Sequence, residues 1–266
     1  MKAMIFAAGL GTRLKPITDT LPKALVPVCG RPLIEHVSRK LMASGICEAV
    51  VNVHHFADKI EAWASGQDWI TTDSEKAGPD MMLMQISDER AMLLETGGAV
   101  LHARRYLEGC GHFLIHNVDI FSDCDLGWLQ NQVRLEALGT LLVSERETSR
   151  FLLFHPDTMR LVGWSNVDTG DYHLADKELE LGDCRALGFS GIHILSDEVL
   201  GLMEQYVKER GLQDEGYGVR FPIMSFYMWA AMKKPIYGVV QDDLHFLDVG
   251  KLDTLELAEK FVLKIK

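Results

Sequence analysis

Cysteine is scarce in this 266-residue chain, and its pattern carries no pairing signal. The five cysteines, Cys29, Cys47, Cys110, Cys124 and Cys184, are odd in number and share no CxxC spacing. That speaks against a zinc knuckle or a disulfide framework and points to reduced thiols in a cytoplasmic protein. Positive charge is also in short supply: 27 Lys and Arg face 38 Asp and Glu, a formal net charge of -11. A chain this acidic lacks the basic footprint that draws nucleic acid. Any phosphate-bearing ligand must then be held by a local cluster of cations, by backbone amides or by a bound metal. Long apolar runs are missing too. The N-terminal MKAMIFAAGLGTR has one short apolar run with Arg13 and Lys15 close behind, too short for a membrane helix, and reads as a buried first strand. Low-complexity segments and internal repeats are absent.

What is present is a globular composition, 47% hydrophobic and 24% charged, with length enough for a full core. No Pro-, Gly- or Ser-rich linker divides the chain, so one domain over 1–266 with a smaller appended lobe is expected. Residues 2–7 read as a central strand feeding a loop at Gly9 and Gly11. Pro32 opens a helix marked by Leu33, Ile34, Val37 and Leu41, with Gly45 placed to stop it. Strands at 48–53, 82–86 and 112–116 alternate with helices at 56–64 and 98–107, an order that implies an α/β fold with a parallel sheet covered on both faces. The second half is less regular. Strands are predicted at 139–144, 151–154, 160–164, 187–195 and 245–249, and helices at 198–208, 222–232 and 252–263.

The loop after the first strand carries the sharpest signal. In Ala8-Gly9-Leu10-Gly11-Thr12-Arg13, the glycines let backbone N–H groups approach a phosphate, and Arg13 and the later Lys23 offer cations for its oxygens. A lone GxG is also an ordinary strand-to-loop turn, and the loop fits neither the dinucleotide fingerprint nor the P-loop, lacking a Gly-Lys-Ser/Thr. The longer string GxGTRLxPxT followed by LPKxLxPV resembles the signature of the sugar-1-phosphate nucleotidyltransferases, the NDP-sugar pyrophosphorylases. This resemblance implies an α/β, Rossmann-like three-layer fold with a mostly parallel central sheet and a smaller sugar-binding lobe. The nucleotide-binding part would span about 1–140, and the sugar-binding part with a second metal ligand about 141–266. It further implies that Ala8, Gly9, Gly11 and Thr12 line the nucleotide, while Arg13 and Lys23 neutralise triphosphate and transition-state charge.

Asn117-Val118-Asp119 follows the strand at 112–116, and the tip of a parallel strand is where open α/β sheets place ligand chemistry. A carboxylate there suits Mg²⁺, which bridges carboxylates to substrate phosphates, or it caps a turn. Asp248, in Leu247-Asp248-Val249-Gly250, is a second carboxylate at a strand end. In the resembled family these two positions jointly hold the catalytic Mg²⁺. The first usually reads N-G-D; Val118 replaces the glycine here and leaves the backbone less free. Asp123-Cys124-Asp125 is a DxD string that would suit a metal-dependent glycosyltransferase, although capping of a helix bearing Leu126, Leu129 and Val133 explains it better.

Glu95-Thr96-Gly97-Gly98 resembles the family segment beside the nucleobase, in the form found in short bacterial N-acetylmuramate-1-phosphate uridylyltransferases. A plain helix N-terminus explains the acid but not both glycines. Phe189-Ser190-Gly191-Ile192 resembles the strand lining the sugar pocket, so Ser190, Gly191 and Asn117 are assigned to the sugar, though such a tetrapeptide also makes an ordinary strand. The family's Glu-Lys-Pro motif, whose Lys holds the sugar phosphate, is missing. Arg150, with Arg146, could replace it, or both could be surface charges, the favoured reading. His54-His55 has no HExxH spacing and suits packing, as does Phe226-Tyr227-Met228-Trp229.

The implied reaction joins an NTP and a sugar 1-phosphate into an NDP-sugar and pyrophosphate. UTP is the favoured nucleotide and GTP a possible one, with no nucleic-acid or membrane partner and a monomer or small homo-oligomer expected. The alternatives are a mannose-1-phosphate guanylyltransferase, a DxD glycosyltransferase and a catalytically silent nucleotide-binding regulator. Intact Arg13, Lys23, Asp119 and Asp248 argue against the last.

Overall fold

In the computed structural model, which describes residues 1–175 and 179–264, the apolar runs of the first half become strands buried on both sides. They are β1 (Lys2–Phe6), β4 (Glu48–Val53), β5 (Ile70–Thr71), β6 (Met82–Asp88) and β7 (His112–Asn117). The short hairpin of β2 (Pro27–Val28) and β3 (Arg31–Pro32) stands apart, as does the ladder of β8 (Ile120–Ser122) with β15 (Phe246–Asp248). The second half supplies β9 (Gly139–Ser144), β10 (Arg150–Phe154), β11 (Leu161–Asn166), β12 (Asp171–Leu174), β13 (Arg185–Ser196) and β14 (Ile236–Val239). The main sheet runs β12-β11-β10-β13-β7-β1-β4-β6-β5, with β9 beside β13 and β14 beside β9. The β7-β1-β4-β6-β5 stretch is parallel, whereas β13 runs antiparallel to β7, β9 and β10. A mostly parallel sheet therefore continues into an antiparallel meander, β10 to β12, that forms the smaller lobe.

Strand alternation explains the two cores. Ala3 and Ile5 of β1 point into one cluster, with α1 (Leu33–Ala43), α2 (Ala57–Ser65) and α8 (Leu252–Lys264). Met4, on the other face, packs with α3 (Glu95–His102), α4 (Arg104–Leu107), α6 (Val199–Arg210) and α7 (Ile223–Ala230). α5 (Leu126–Asn131) buries Leu126 and Leu129 in the first cluster. Gly45 ends α1 as expected: it takes a left-handed φ of 77°, and the Ile46 N–H reaches back to the Leu41 carbonyl. The helix expected at 98–107 is two helices, breaking at Ala103, and the first begins at Glu95. Glycines 97 and 98, poor helix formers on propensity, are tolerated there because a neighbouring loop packs against them. The predictions omit the short strands β5, β8, β12 and β14, which have too few residues to show a period.

Two histidines lie inside the sheet. His116 on β7 and His193 on β13 are fully enclosed, and burial lowers their pKa values to about 4 and about 3. Both ring nitrogens of His193 lack a partner among the described residues, and its ring meets Tyr227 edge-on at 5.8 Å. The folded state thus holds them neutral while the unfolded chain protonates near pH 6.5. Between these values the unfolded state binds more protons, so stability is full above about pH 6.5 and is lost as pH falls. Each histidine should remove up to about 1.4 kcal/mol per pH unit in that window. Urea unfolding of the wild type and His193→Phe from pH 7 to pH 5 should show the shallower pH slope in the variant; equal slopes would exclude His193 as a source.

Candidate active site

The loop after β1 is shaped by Gly11. Its φ of 63° is left-handed, and a Cβ there would meet Thr18 Cγ2 at 2.8 Å and Lys23 Cβ at 3.1 Å. The Thr18 hydroxyl donates to the Gly11 carbonyl at 2.8 Å, and Leu14 is wholly buried beneath. This fold-back delivers Lys23 to Asp119, with which its Nζ forms an ion pair; their side chains are only 11% and 17% exposed. Asp119 follows β7 directly. Val118 is buried in the core, donates its N–H to the Phe6 carbonyl, and does not have a positive φ, so no glycine is required where the resembled motif has one.

The β8–β15 ladder brings the second carboxylate in. Asp248 pairs with Ile120 in register, and the Val249 N–H donates to the Asp119 carbonyl at 2.8 Å. Burial and the adjacent Asp119 charge raise the Asp248 pKa, against the opposing pull of Lys23 and Arg13. Arg13 Nη2 lies 3.9 Å from Asp248 Oδ2. Gly250 leaves the room for this pair, since a Cβ there would fall 2.6 Å from both Arg13 Nη2 and Asp248 Oδ1. The four residues assigned to charge and metal are therefore together, a cation beside each carboxylate.

A cavity of about 390 Å³ opens at the carboxyl ends of β1, β4 and β7. Its lining includes Ala8, Gly9, Lys23, Glu95, Asn117 and Asp119 from the predicted set, and Asn52 and Thr96 from outside it. Gly9 has nothing within 4 Å of where a Cβ would stand. Thr12 lies on the exposed outer loop, away from the cavity lining. Gly97 and Gly98 also lie behind the wall: both donate their N–H to the Phe221 carbonyl, and a Cβ would meet Phe221 Cε2 at 2.4 Å or the Val219 carbonyl oxygen at 2.1 Å. The two glycines thus seat the 219–221 loop, which in turn carries Arg220 to Glu95 at 2.9 Å.

Asn52 was not evident in the sequence because nothing marks a polar residue inside an apolar strand as functional. Its Oδ1 accepts the Ala7 N–H at 2.8 Å and its Nδ2 donates to Glu89 at 2.8 Å. Glu89, 2% exposed, also accepts the Leu94 N–H, and burial raises its pKa. The chain Ala7–Asn52–Glu89–Leu94 ties the start of the Gly loop to the floor of the cavity. His54 Nδ1 lies 2.7 Å from the Glu89 carbonyl, a packing contact of the kind expected.

A second cavity of about 580 Å³ lies over the antiparallel lobe, with Arg146, Arg150, Trp164, Asn166, Phe189 and Met224 in its wall. The Ser190 hydroxyl is turned away from ligand work: it donates to the Leu142 carbonyl and accepts the Ile192 N–H, stapling the bulge in β13. Gly191 has a φ of 80°, and a Cβ there would meet Asn117 Nδ2 at 2.6 Å. Arg146 and Arg150 are both exposed; Arg146 in addition stacks 4.6 Å over the Phe246 ring and donates to the Phe189 carbonyl. In the DxD string, Asp125 caps α5 through the Trp128 N–H and Asp123 holds His245 by its backbone and ring nitrogens. Both carboxylates are committed to structure.

The sequence profile of the nucleotidyl transferase family matches residues 2–150, and the chain belongs to that family. It is an enzyme of the nucleotidyl-transfer class. The N-acetylmuramate alpha-1-phosphate uridylyltransferase of Caulobacter vibrioides is 35% identical over 202 residues, 74% of this chain and 76% of that protein. The enzyme of the same name from Neisseria meningitidis serogroup B is 38% identical over 126 residues, 47% of this chain and 49% of its own. In fold, the chain resembles a UDP-glucose pyrophosphorylase solved with UDP-glucose, with a TM-score of 0.72, 16% identity and 100% of both chains covered. Among the described residues, no helix is long and apolar enough to cross a membrane.

Gly98→Ala should drive Cβ into the Val219 carbonyl and destabilise the protein by about 1–3 kcal/mol. Gly127→Ala, on α5 with nearer space, should cost less in the same thermal melts; equal losses would remove the 219–221 loop as the cause.

Proposed function

We propose that the chain transfers a uridylyl group from UTP to a sugar 1-phosphate, releasing pyrophosphate, with N-acetylmuramate 1-phosphate the favoured acceptor. The carrying observation is the adjacency of Asp119 and Asp248, each beside its own cation, at a strand-end cavity of nucleoside size. The uridylyl preference and the acceptor rest on the relatives, above all the Caulobacter vibrioides enzyme. A cavity walled by Trp164, Phe189, Arg150 and Asn166 suits an acceptor that is at once anionic and partly apolar.

The two carboxylates fit Mg²⁺. Among the described residues no third His, Cys, Asp or Glu joins them, and Mg²⁺ usually takes one or two carboxylates and completes its shell with waters and phosphate oxygens. Burial first and the adjacent Asp119 charge second raise the Asp248 pKa, and a dication would relieve the like-charge part. When bound, Mg²⁺ supplies charge neutralisation at the α-phosphate.

The chain's own contribution is position and charge. A sugar-phosphate oxygen attacks the α-phosphorus in line; the new O–P bond forms as the bond to pyrophosphate breaks. The nucleophile is already an anion at neutral pH, so no general base is needed. Lys23 and Arg13 set two cations beside the transferring group and stabilise charge on the α-phosphate or the departing pyrophosphate. The open edge at Gly9 admits the triphosphate, and Asn52, Thr96 and Glu95 face the nucleoside end.

Pyrophosphate release should be fastest with UTP among the common NTPs, and with N-acetylmuramate 1-phosphate among the acceptors. A preference for GTP with mannose 1-phosphate would replace this reading with the guanylyl one. Lys23→Ala should lower turnover by about 10²–10³, the scale for losing one preorganised donor. Asp119→Asn and Asp248→Asn should each weaken the Mg²⁺ dependence; unchanged metal titrations in both would exclude the paired-ligand assignment.

A further inference from the structure

The nucleotidyl-transfer reading leaves the acceptor's phosphate without a named partner. Lys23 and Arg13 are already drawn to Asp119 and Asp248. Two other cations border the larger cavity, Arg146 and Arg150. Both are exposed, and among the described residues only Arg146 of the two has a ring contact and a side-chain hydrogen bond. Its guanidinium lies 4.6 Å over the Phe246 ring, and Nη2 donates to the Phe189 carbonyl at 3.0 Å. Gly188 makes the space for it, because a Cβ there would fall 2.6 Å from Arg146 Nε. Among the described residues, no carboxylate lies within ion-pair distance of it, yet the charge of Asp248, two residues beyond the ring it covers, acts on it against the effect of burial.

These contacts have a chemical meaning. A guanidinium carries five N–H donors in a planar fork, and the one bond to Phe189 leaves donors open on a side chain already locked in orientation. The reacting phosphate of the acceptor must lie between the sugar cavity and the Asp119–Asp248 pair, which is the span Arg146 borders. A fixed, unpaired guanidinium there matches two phosphate oxygens in bidentate fashion.

The geometry points to Arg146 as the residue that binds the 1-phosphate of the acceptor sugar, a role that rests on the nucleotidyl-transfer reading. Phe246 and the Phe189 carbonyl preset its orientation, and Gly188 provides its seat.

Binding, measured by calorimetry with Mg²⁺ and a non-hydrolysable UTP analogue present, tests this. The probes are N-acetylmuramate 1-phosphate and N-acetylmuramate without phosphate, against wild type, Arg146→Gln, Arg146→Lys and Arg150→Gln. Wild type should prefer the phosphorylated sugar. Arg146→Gln should lose about 10- to 100-fold in affinity for it, the range for one charge-assisted contact, with the unphosphorylated sugar unaffected and the melting temperature unchanged. Arg146→Lys should recover part of the loss, and Arg150→Gln, at the other cation of the same cavity, should lose less than Arg146→Gln. Wild-type discrimination in Arg146→Gln, or its loss in Arg150→Gln instead, overturns the assignment while leaving the reaction intact. Failure of the wild type to bind the phosphorylated sugar overturns both.

Discussion

Two carboxylates held side by side are the constraint on which the rest of the site depends. Asp119 and Asp248 come from distant parts of the chain and repel each other, so the fold must supply both the force that joins them and the charge that offsets them. The ladder of β8 and β15 does the first, fixing Asp248 opposite Ile120. Lys23 and Arg13 do the second. Much of the surrounding architecture serves these four side chains: Gly11 and Thr18 fold the loop that carries Lys23, and Gly250 clears the approach of Arg13. In a chain with a net charge of -11, two of its cations stand beside this pair of carboxylates.

The strand-end cavity and the larger cavity are organised by different means. At the strand-end cavity, a buried polar chain through Asn52 and Glu89 connects backbone amides at Ala7 and Leu94. Unpaired, those groups would be costly in a low-dielectric interior; satisfied, they hold the cavity floor to the loop. At the larger cavity, the contacts on Arg146 are aromatic and steric, a ring under its guanidinium and a glycine beside it.

Much of this was legible in the sequence. The strand at 48–53 and the helix closed by Gly45 are periodic segments whose local chemistry agrees with the fold, and the Arg13, Lys23, Asp119 and Asp248 positions follow from contiguous motifs. What escaped depended on contacts between segments. Gly97 and Gly98 read as ligand contacts because close approach of backbone is their common signature, yet the backbone that approaches is the chain's own at Val219 and Phe221. Ser190 read as a polar group on a sugar-facing strand, and a bulge in β13 turned its hydroxyl inward. Asn52 and Glu89 carry no local mark at all, since a buried polar pair is defined only by its partners.

The twelve residues of β13 have a consequence of their own. This strand pairs with β7, the carrier of Asn117, along one part of its length and with β10, the first strand of the meander, along another. Its bulge lies between the two pairings, so the strand is a continuous spine with one shift of register. Amino-acid changes along the meander edge can reshape the larger cavity without altering β7 or the β8–β15 ladder, which position the carboxylates. The shape of the larger cavity and the placement of the carboxylates are thereby separable properties of one fold.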